Sequence, residues 1–257
     1  MVIVFLPINI YIYMPITNIT VIENKELPKK INPIKERMDI YIPGIPEGLS
    51  RRNGMIYILC GSGGSGKTSL LLNLFKSKHF YRNKFHTIFY ICPSASFCSV
   101  EKHPFENHDK VYHDLDVPTL EMIYNYLVGI KESGEIEYSC VVIDDMADSL
   151  KDHEIERELN KMLIKARHLQ CSFIFTLQGF LYFPKILRKQ ITYATIFKTN
   201  NKEEWDVIAK ELLYMNKDDS LKIFDYVYDE PYNHLDCDLR ENKLYKNFEI
   251  LEIVKET

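Results

Sequence analysis

Five apolar runs punctuate the chain: MIYILC (55–60), HTIFYIC (86–92), YSCVVID (138–144), CSFIFTLQ (171–178) and ITYATIF (191–197). They are nearly continuous rather than alternating, the pattern of strands buried on both faces. Stretches of helical period lie between them: Thr68 to Lys78, Leu120 to Lys131, and Ile155 to Leu169, where Ile155, Leu159, Met162, Ala166 and Leu169 recur at spacings of three and four. Such stripes face a core. Strands alternating with helices predict an α/β fold with a mostly parallel central sheet flanked by helices.

The flanks read differently. Six of the eleven prolines precede residue 50, so residues 1–48 are expected to be an extended approach with turns, peripheral to the fold, with Met38 an alternative start. Residues 49–200 carry the core. Residues 201–257 extend the same domain: KEEWDVIAKELLYM (202–215) predicts a helix with Trp205, Ile208 and Leu212 on one face, and NHLDCDLRENKLYKNFEIL (233–251) predicts an edge hairpin turning at Glu241 and Asn242. No repeat of solenoid period is present.

With 257 residues, 46% hydrophobic and 26% charged, the chain is neither a disordered tail nor a disulfide miniprotein. Its net charge of −4 is not that of a uniformly basic nucleic-acid-binding domain, so any DNA contact must be local. Six cysteines, at 60, 92, 98, 140, 171 and 237, show no CxxC spacing and read as reduced thiols in an intracellular setting rather than as a zinc site. His103, His108 and His113 follow Cys98 at loose intervals and are expected in a polar surface loop. The opening MVIVFLPINIYIYMP lacks a basic leader and a small-residue cleavage site, and Pro7 and Asn9 interrupt it, so neither a signal peptide nor a membrane span is expected.

Chemistry concentrates after the first strand. Gly61-Ser62-Gly63-Gly64-Ser65-Gly66-Lys67-Thr68 is GxxxxGK[ST] between a strand and a helix. Residues without a β-carbon can turn backbone N–H groups onto an anion, and the following helix adds its positive end. Residues Gly61 to Ser69 are thus the expected phosphate cradle of ATP, with Lys67 charging the β and γ phosphates and Thr68 ligating Mg²⁺. A plain strand-to-helix turn would explain the glycines but not the lysine and threonine.

The run Cys140-Val141-Val142-Ile143 ends in Asp144-Asp145. Carboxylates closing a buried strand need something that repays their desolvation. Mg²⁺ and its waters would do so, making Asp144 the metal-side aspartate. Asp145, pointing the other way along the pleat, would polarise the attacking water; a helix N-cap at Asp145 is the plainer alternative. Gln178 closes the next strand, which in additional-strand P-loop ATPases inserts between the other two. It would then sense the γ phosphate, or be an ordinary loop glutamine. Charge developing on the transferring phosphoryl group calls for an arginine, with Arg167 and Arg188 the candidates; Arg157 and Arg167 could equally be solvated helix charges. Asn216-Lys217-Asp218-Asp219 fits the guanine-reading NKxD pattern, but it follows a helical stretch and DDMA lacks the switch glycine, so ATP is favoured over GTP.

Together, IPGIPEGLSRRNGMIYILCGSGGSGKTSLLLNLF, VVIDDMADSL, ARHLQCSFIFTLQGF and PKILRKQITYATIF resemble the poxvirus-type genome-packaging ATPases of the FtsK/HerA superfamily, over about residues 43–200. The resemblance implies a RecA-like additional-strand P-loop NTPase core and oligomeric rings. It implies Mg-ATP-driven translocation of double-stranded viral DNA into a preformed capsid, with a capsid or portal-site protein as further partner. It places the protein in the host cytoplasm or viral factory, or with the virion. It assigns phosphate and metal to Lys67 and Thr68, the Mg²⁺ shell to Asp144, the water to Asp145 and the sensor role to Gln178. Arg188 resembles a recurrent arginine of that family. Lys84, Lys102 and Lys110 are then candidate pore contacts. The competing readings are a small-molecule or nucleotide kinase, against which CPSASFCSVEKHPFENHDK (92–110) has no arginine, and a binding module with a degenerate P-loop.

Overall fold

All five apolar runs form strands, because their side chains are buried on both faces and have nowhere else to satisfy backbone polarity. They are β1 (Ile56–Cys60), β2 (Thr87–Ile91), β4 (Ser139–Ile143), β5 (Cys171–Leu177) and β6 (Tyr193–Phe197), with a two-residue β3 (Val111–Tyr112) beside β2. The computed structural model describes residues 41–253, which belong to one compact unit; the extended segment and alternative start expected before residue 41 lie outside them. The sheet order is β3-β2-β4-β5-β1-β6-β7-β8-β9. β1 to β6 are mutually parallel, and β5 lies between β1 and β4, the inserted position expected of the additional strand.

Successive residues of β1 serve opposite faces. Ile56, Ile58 and Cys60 pack with Phe173, Phe175 and the helices α3 (Val117–Ser133) and α4 (His153–Ile164). Tyr57 and Leu59 pack with Leu71, Leu74 and Phe75 of α1 (Lys67–Lys76). This two-sided layering gives each strand a carboxyl end on one common edge.

Helix α4 is shorter than its apolar stripe predicts. Asp152 caps its start, accepting from Glu154 N and Ile155 N, but the helix stops at Ile164. Ala166 and Leu169 stay buried in the same cluster from a turn that reverses the chain into β5, with Gln170 at φ 51° and Cys171 N donating to Ala166 O. Beyond β6, α6 (Lys202–Ile208) widens into a π-turn at Ala209–Leu213, and Trp205, Ile208 and Leu212 are buried as their spacing requires. Helix α7 (Lys217–Val227) follows. The hairpin is β7 (His234–Asp238) and β8 (Lys243–Lys246), with β9 (Glu249–Ile250) added; Asp238 Oδ1 accepts from Arg240 N and Glu241 N to set the turn. It does more than trim the edge: β7 pairs antiparallel along all of β6.

At the opposite edge Gly54, at φ +69°, lets the turn after α4 dock. A β-carbon there would lie 2.7 Å from Arg167 Cα. Gly54→Ala adds left-handed strain and this clash, and should lower stability by roughly 1–3 kcal/mol. Chemical denaturation checks it: an unchanged midpoint would contradict the docking.

Candidate active site

Where β1 ends, Gly61 N still donates to Leu177 O at 3.0 Å, and the chain then leaves the sheet. The departure needs two left-handed residues, Gly64 at φ +76° and Gly66 at φ +104°. Gly63 and Gly64 have open space where β-carbons would point. Helix α1 begins without a side-chain cap, whereas α3, α4, α6 and α7 are capped by Asp116, Asp152, Asn201 and Asn216. Its first-turn N–H groups therefore remain available to an anion.

The side chains agree with that vacancy of donors. Ser65 Oγ is buried with no hydrogen-bond partner among the described residues. Lys67 Nζ folds back to donate to Ser62 O at 3.1 Å. Burial lowers the Lys67 pKa, against the opposing pull of Asp145, Cys60 and Asp144. Both aspartates thus lie within electrostatic reach of the loop lysine. Thr68 and Ser69 are exposed on the first turn of α1.

Asp144 and Asp145 emerge on the same edge, since Ile143 of β4 is level with Phe175 of β5, two residues short of its end. Asp144 is 4% exposed and fully engaged: Oδ1 accepts from Thr176 Oγ1 at 2.5 Å and Oδ2 from the Tyr90 hydroxyl at 2.7 Å. Asp145 does not continue the pleat, because β4 has ended at Ile143 and Asp145 sits at φ +81°. That rotation, not strand alternation, turns it toward β5, where Gln178 Nε2 donates to Oδ1 at 3.0 Å; Ser96 Oγ donates to Oδ2 at 3.3 Å. Nor does Asp145 cap a helix, since Asp152 begins α4. Tyr90 and Thr176 escaped the sequence reading: each is an ordinary strand residue until β2, β4 and β5 pair.

The arginines are not brought to this loop. Arg167 sits in the turn docked on Gly54 at the amino end of β1, about five residues and roughly 16 Å of strand from the glycine loop. Arg188, in α5 (Lys185–Arg188), is 13% exposed; its Nη1 lies 3.3 Å from both Glu211 carboxylate oxygens and its guanidinium stacks over Phe180. Leu187 beside it packs in the core of the α3–α4 face, across the sheet from α1. The finger role expected of Arg167 or Arg188 thus gains no contact with the glycine loop of the same chain.

Other expectations also change. His103 is buried, its ring 4.1 Å from Phe97 and 5.2 Å from Tyr90, so it belongs to an aromatic cluster rather than a polar surface loop; burial lowers its pKa. Lys84 donates to Pro43 O, and Lys110 lies 4.4 Å over the Tyr126 ring, leaving Lys102 the exposed one of the three. Asn216 accepts from Asp219 N as the cap of α7, which accounts for the NKxD coincidence. All six cysteines are free, and burial pushes the Cys92 thiol up to about 12.

The residues fit a nucleotide triphosphate and a hard divalent cation. The orphaned Ser65 hydroxyl, the open glycine turn and the uncapped helix suit phosphate. Thr68 and Asp144 carry the oxygens such a cation takes; Asp144 Oδ1, which accepts only from Thr176, keeps a lone pair for a metal-bound water. No cluster of three or more His, Cys, Asp or Glu poised for a metal occurs among the described residues. Tyr90→Phe and Thr176→Val should each cost about 1–3 kcal/mol in denaturant titrations, by stripping a donor from a buried carboxylate. No loss in either would contradict the clamp on Asp144.

The fold is shared with known proteins. B204, the DNA-packaging ATPase from Sulfolobus turreted icosahedral virus, superposes with TM-score 0.56 at 18% identity, covering 76% of this chain and 97% of that one. The genome packaging NTPase B204 from Sulfolobus turreted icosahedral virus 2, in complex with ATPγS, gives 0.53 at 18% identity, with 78% and 98% covered. The cytoplasmic domain of the Thermomonospora curvata type VII secretion ATPase EccC gives 0.55 at 14% identity, over 87% of this chain and 30% of that one. No curated protein matches the sequence. Residues 49–234, well over half of the chain, match the family model of the poxvirus A32 protein, and the chain belongs to that family.

Proposed function

We propose that this protein is an ATP-hydrolysing motor that translocates double-stranded viral DNA into a preformed capsid. The observation that carries the reading is the shared edge. The uncapped α1 terminus on β1, Gln178 at the end of β5 and the Asp144–Asp145 pair after β4 lie on three adjacent strands. The family match and a fold shared with proteins described as packaging ATPases support the same conclusion.

In this reading Gly61 to Ser69 hold the phosphates through backbone N–H groups, with Lys67 supplying a full positive charge. Thr68 and Asp144 are the residues that would hold Mg²⁺, which when bound neutralises charge on the phosphates. Asp145 orients and deprotonates the attacking water. Gln178, hydrogen bonded to Asp145, reports whether the γ phosphate is present. The Tyr90 and Thr176 hydroxyls fix the Asp144 carboxylate in direction.

A cavity of about 380 Å³ adjoins Asp145 and Gln178, lined also by Met146, Lys151 and Tyr182; no arginine lines it among the described residues. In this reading a neighbouring subunit supplies the arginine, so the working form is a homo-oligomeric ring. A finger role for Arg167 or Arg188 would then be exerted on that neighbour's site. A ring also lets a few lysines per subunit, Lys102 among them, contact DNA phosphates despite the net charge of −4. A capsid or portal-site protein is the expected docking partner. The free cysteines support an intracellular site of action, and among the described residues no helix is long and apolar enough to cross a membrane. The kinase alternative gains nothing from residues 92–110, whose Phe97, His103 and Phe105 pack together around Tyr90 rather than opening as an arginine lid.

Purified protein should hydrolyse ATP faster with duplex DNA than without, and the stimulation should fall steeply with salt. No stimulation, together with phosphoryl transfer to a small acceptor, would overturn the motor. Asp145→Asn should leave ATP binding intact while turnover falls about 10²–10⁴-fold. Steady-state hydrolysis and equilibrium binding separate the two effects, and unaltered turnover would remove Asp145 from the chemistry.

A further inference from the structure

The triphosphate site has two ends, and the sheet order tells them apart. Asp145 and Gln178 lie on the β4 and β5 side of the glycine loop, where the γ phosphate belongs. With the γ phosphate at that end, ribose and base would extend the other way, over the first turn of α1 toward β6 and β7 on the other side of β1. On that side stands Tyr232, in the connection between α7 and β7.

Three observations bear on Tyr232, of which Tyr214 shares the first two and not the third. It is 72% exposed, though aromatic. Its backbone has φ +66°, a conformation that a bulky residue adopts only when its surroundings impose it. Its ring reaches the phosphate loop: a β-carbon built on Gly66 would come within 3.5 Å of Tyr232 Cδ1, and equally close to Phe197 Cε1 beneath. Among the described residues its hydroxyl makes no hydrogen bond and its ring has no aromatic partner.

The loop that carries it is pinned. Asn233 Nδ2 donates to Asp229 Oδ1 at 2.7 Å, Asn247 Nδ2 donates to Asn233 Oδ1 at 2.7 Å, and His234 N donates to Asn247 Oδ1 at 3.0 Å. A bare aromatic face is thus fixed beside the residue that precedes Lys67. Tyr182, another exposed aromatic, borders the Asp145–Gln178 cavity and so lies at the wrong end for a base.

We propose that Tyr232 is the stacking platform for the nucleobase. This rests on the nucleotide-binding reading of residues 61–69. Stacking on an aromatic ring needs no particular hydrogen-bond pattern and depends on the π face alone. Tyr232 then contributes to affinity for the nucleoside part while the glycine loop holds the phosphates.

The test measures equilibrium binding of Mg-ATP and of inorganic triphosphate to the full chain. Tyr232→Ala should weaken ATP about tenfold or more and leave inorganic triphosphate unchanged. Tyr232→Phe should keep ATP affinity within about twofold. Tyr232→Trp should retain binding and show emission quenched by ATP but not by triphosphate, above the signal of the buried Trp205. Equal weakening of both ligands by Tyr232→Ala, or no weakening of either, would overturn the platform. Failure of the underlying reading looks different: Lys67→Ala would then leave binding of both ligands untouched in the chain with Tyr232 intact.

Discussion

An unsatisfied helix terminus governs this structure. Four helices close their first turn with an aspartate or asparagine; α1, like the short helices Ser94–Cys98 and Lys185–Arg188, has no side-chain cap, but of these three it alone starts at a left-handed glycine. Uncapped N–H donors are tolerable on a surface, and become useful when an anion supplies the missing acceptors. Ser65 Oγ, buried and unpaired beside them, adds to the same deficit. The rest of the site is arranged around relieving it.

Strand insertion does the arranging. With β5 between β1 and β4, the acids after β4 are two strands from the loop, and Gln178 stands between them. Asp144 is immobilised by donors from both neighbouring strands, Tyr90 of β2 and Thr176 of β5. Asp145 is freed from the strand by its positive φ and held by Gln178. One carboxylate is fixed and the other is poised, which suits a division between anchoring charge and handling water. On the far side β6 and β7 bring Phe197 beneath Gly66 and Tyr232 against it, so the site is bounded at both ends by the sheet.

Much of this was legible in the amino-acid order. Strands buried on both faces announce themselves as unbroken apolar runs, and the glycine loop carries its own local chemistry. What escaped depends on distant partners. Arg188 reads as a candidate finger, with nothing nearby in sequence to show that Glu211, 23 residues on, is packed against it. His103 reads as polar until Tyr90, Phe97 and Phe105 surround it. Pleat alternation does not place Asp145, because β4 ends two residues earlier. The stripe of α4 continues past its last helical turn, since Ala166 and Leu169 remain buried after the chain has begun to reverse.

The central claim is that the turn starting at Gly61 encloses a triphosphate whose terminal phosphate faces Asp145 and Gln178. A structure of the assembled oligomer with Mg²⁺ and a non-hydrolysable ATP analogue tests it most directly. The account predicts the γ phosphate between Lys67 and the Asp145–Gln178 pair, with an arginine from an adjacent subunit closing the cavity. A triphosphate seated elsewhere, or a γ phosphate directed away from the two carboxylates, would contradict it.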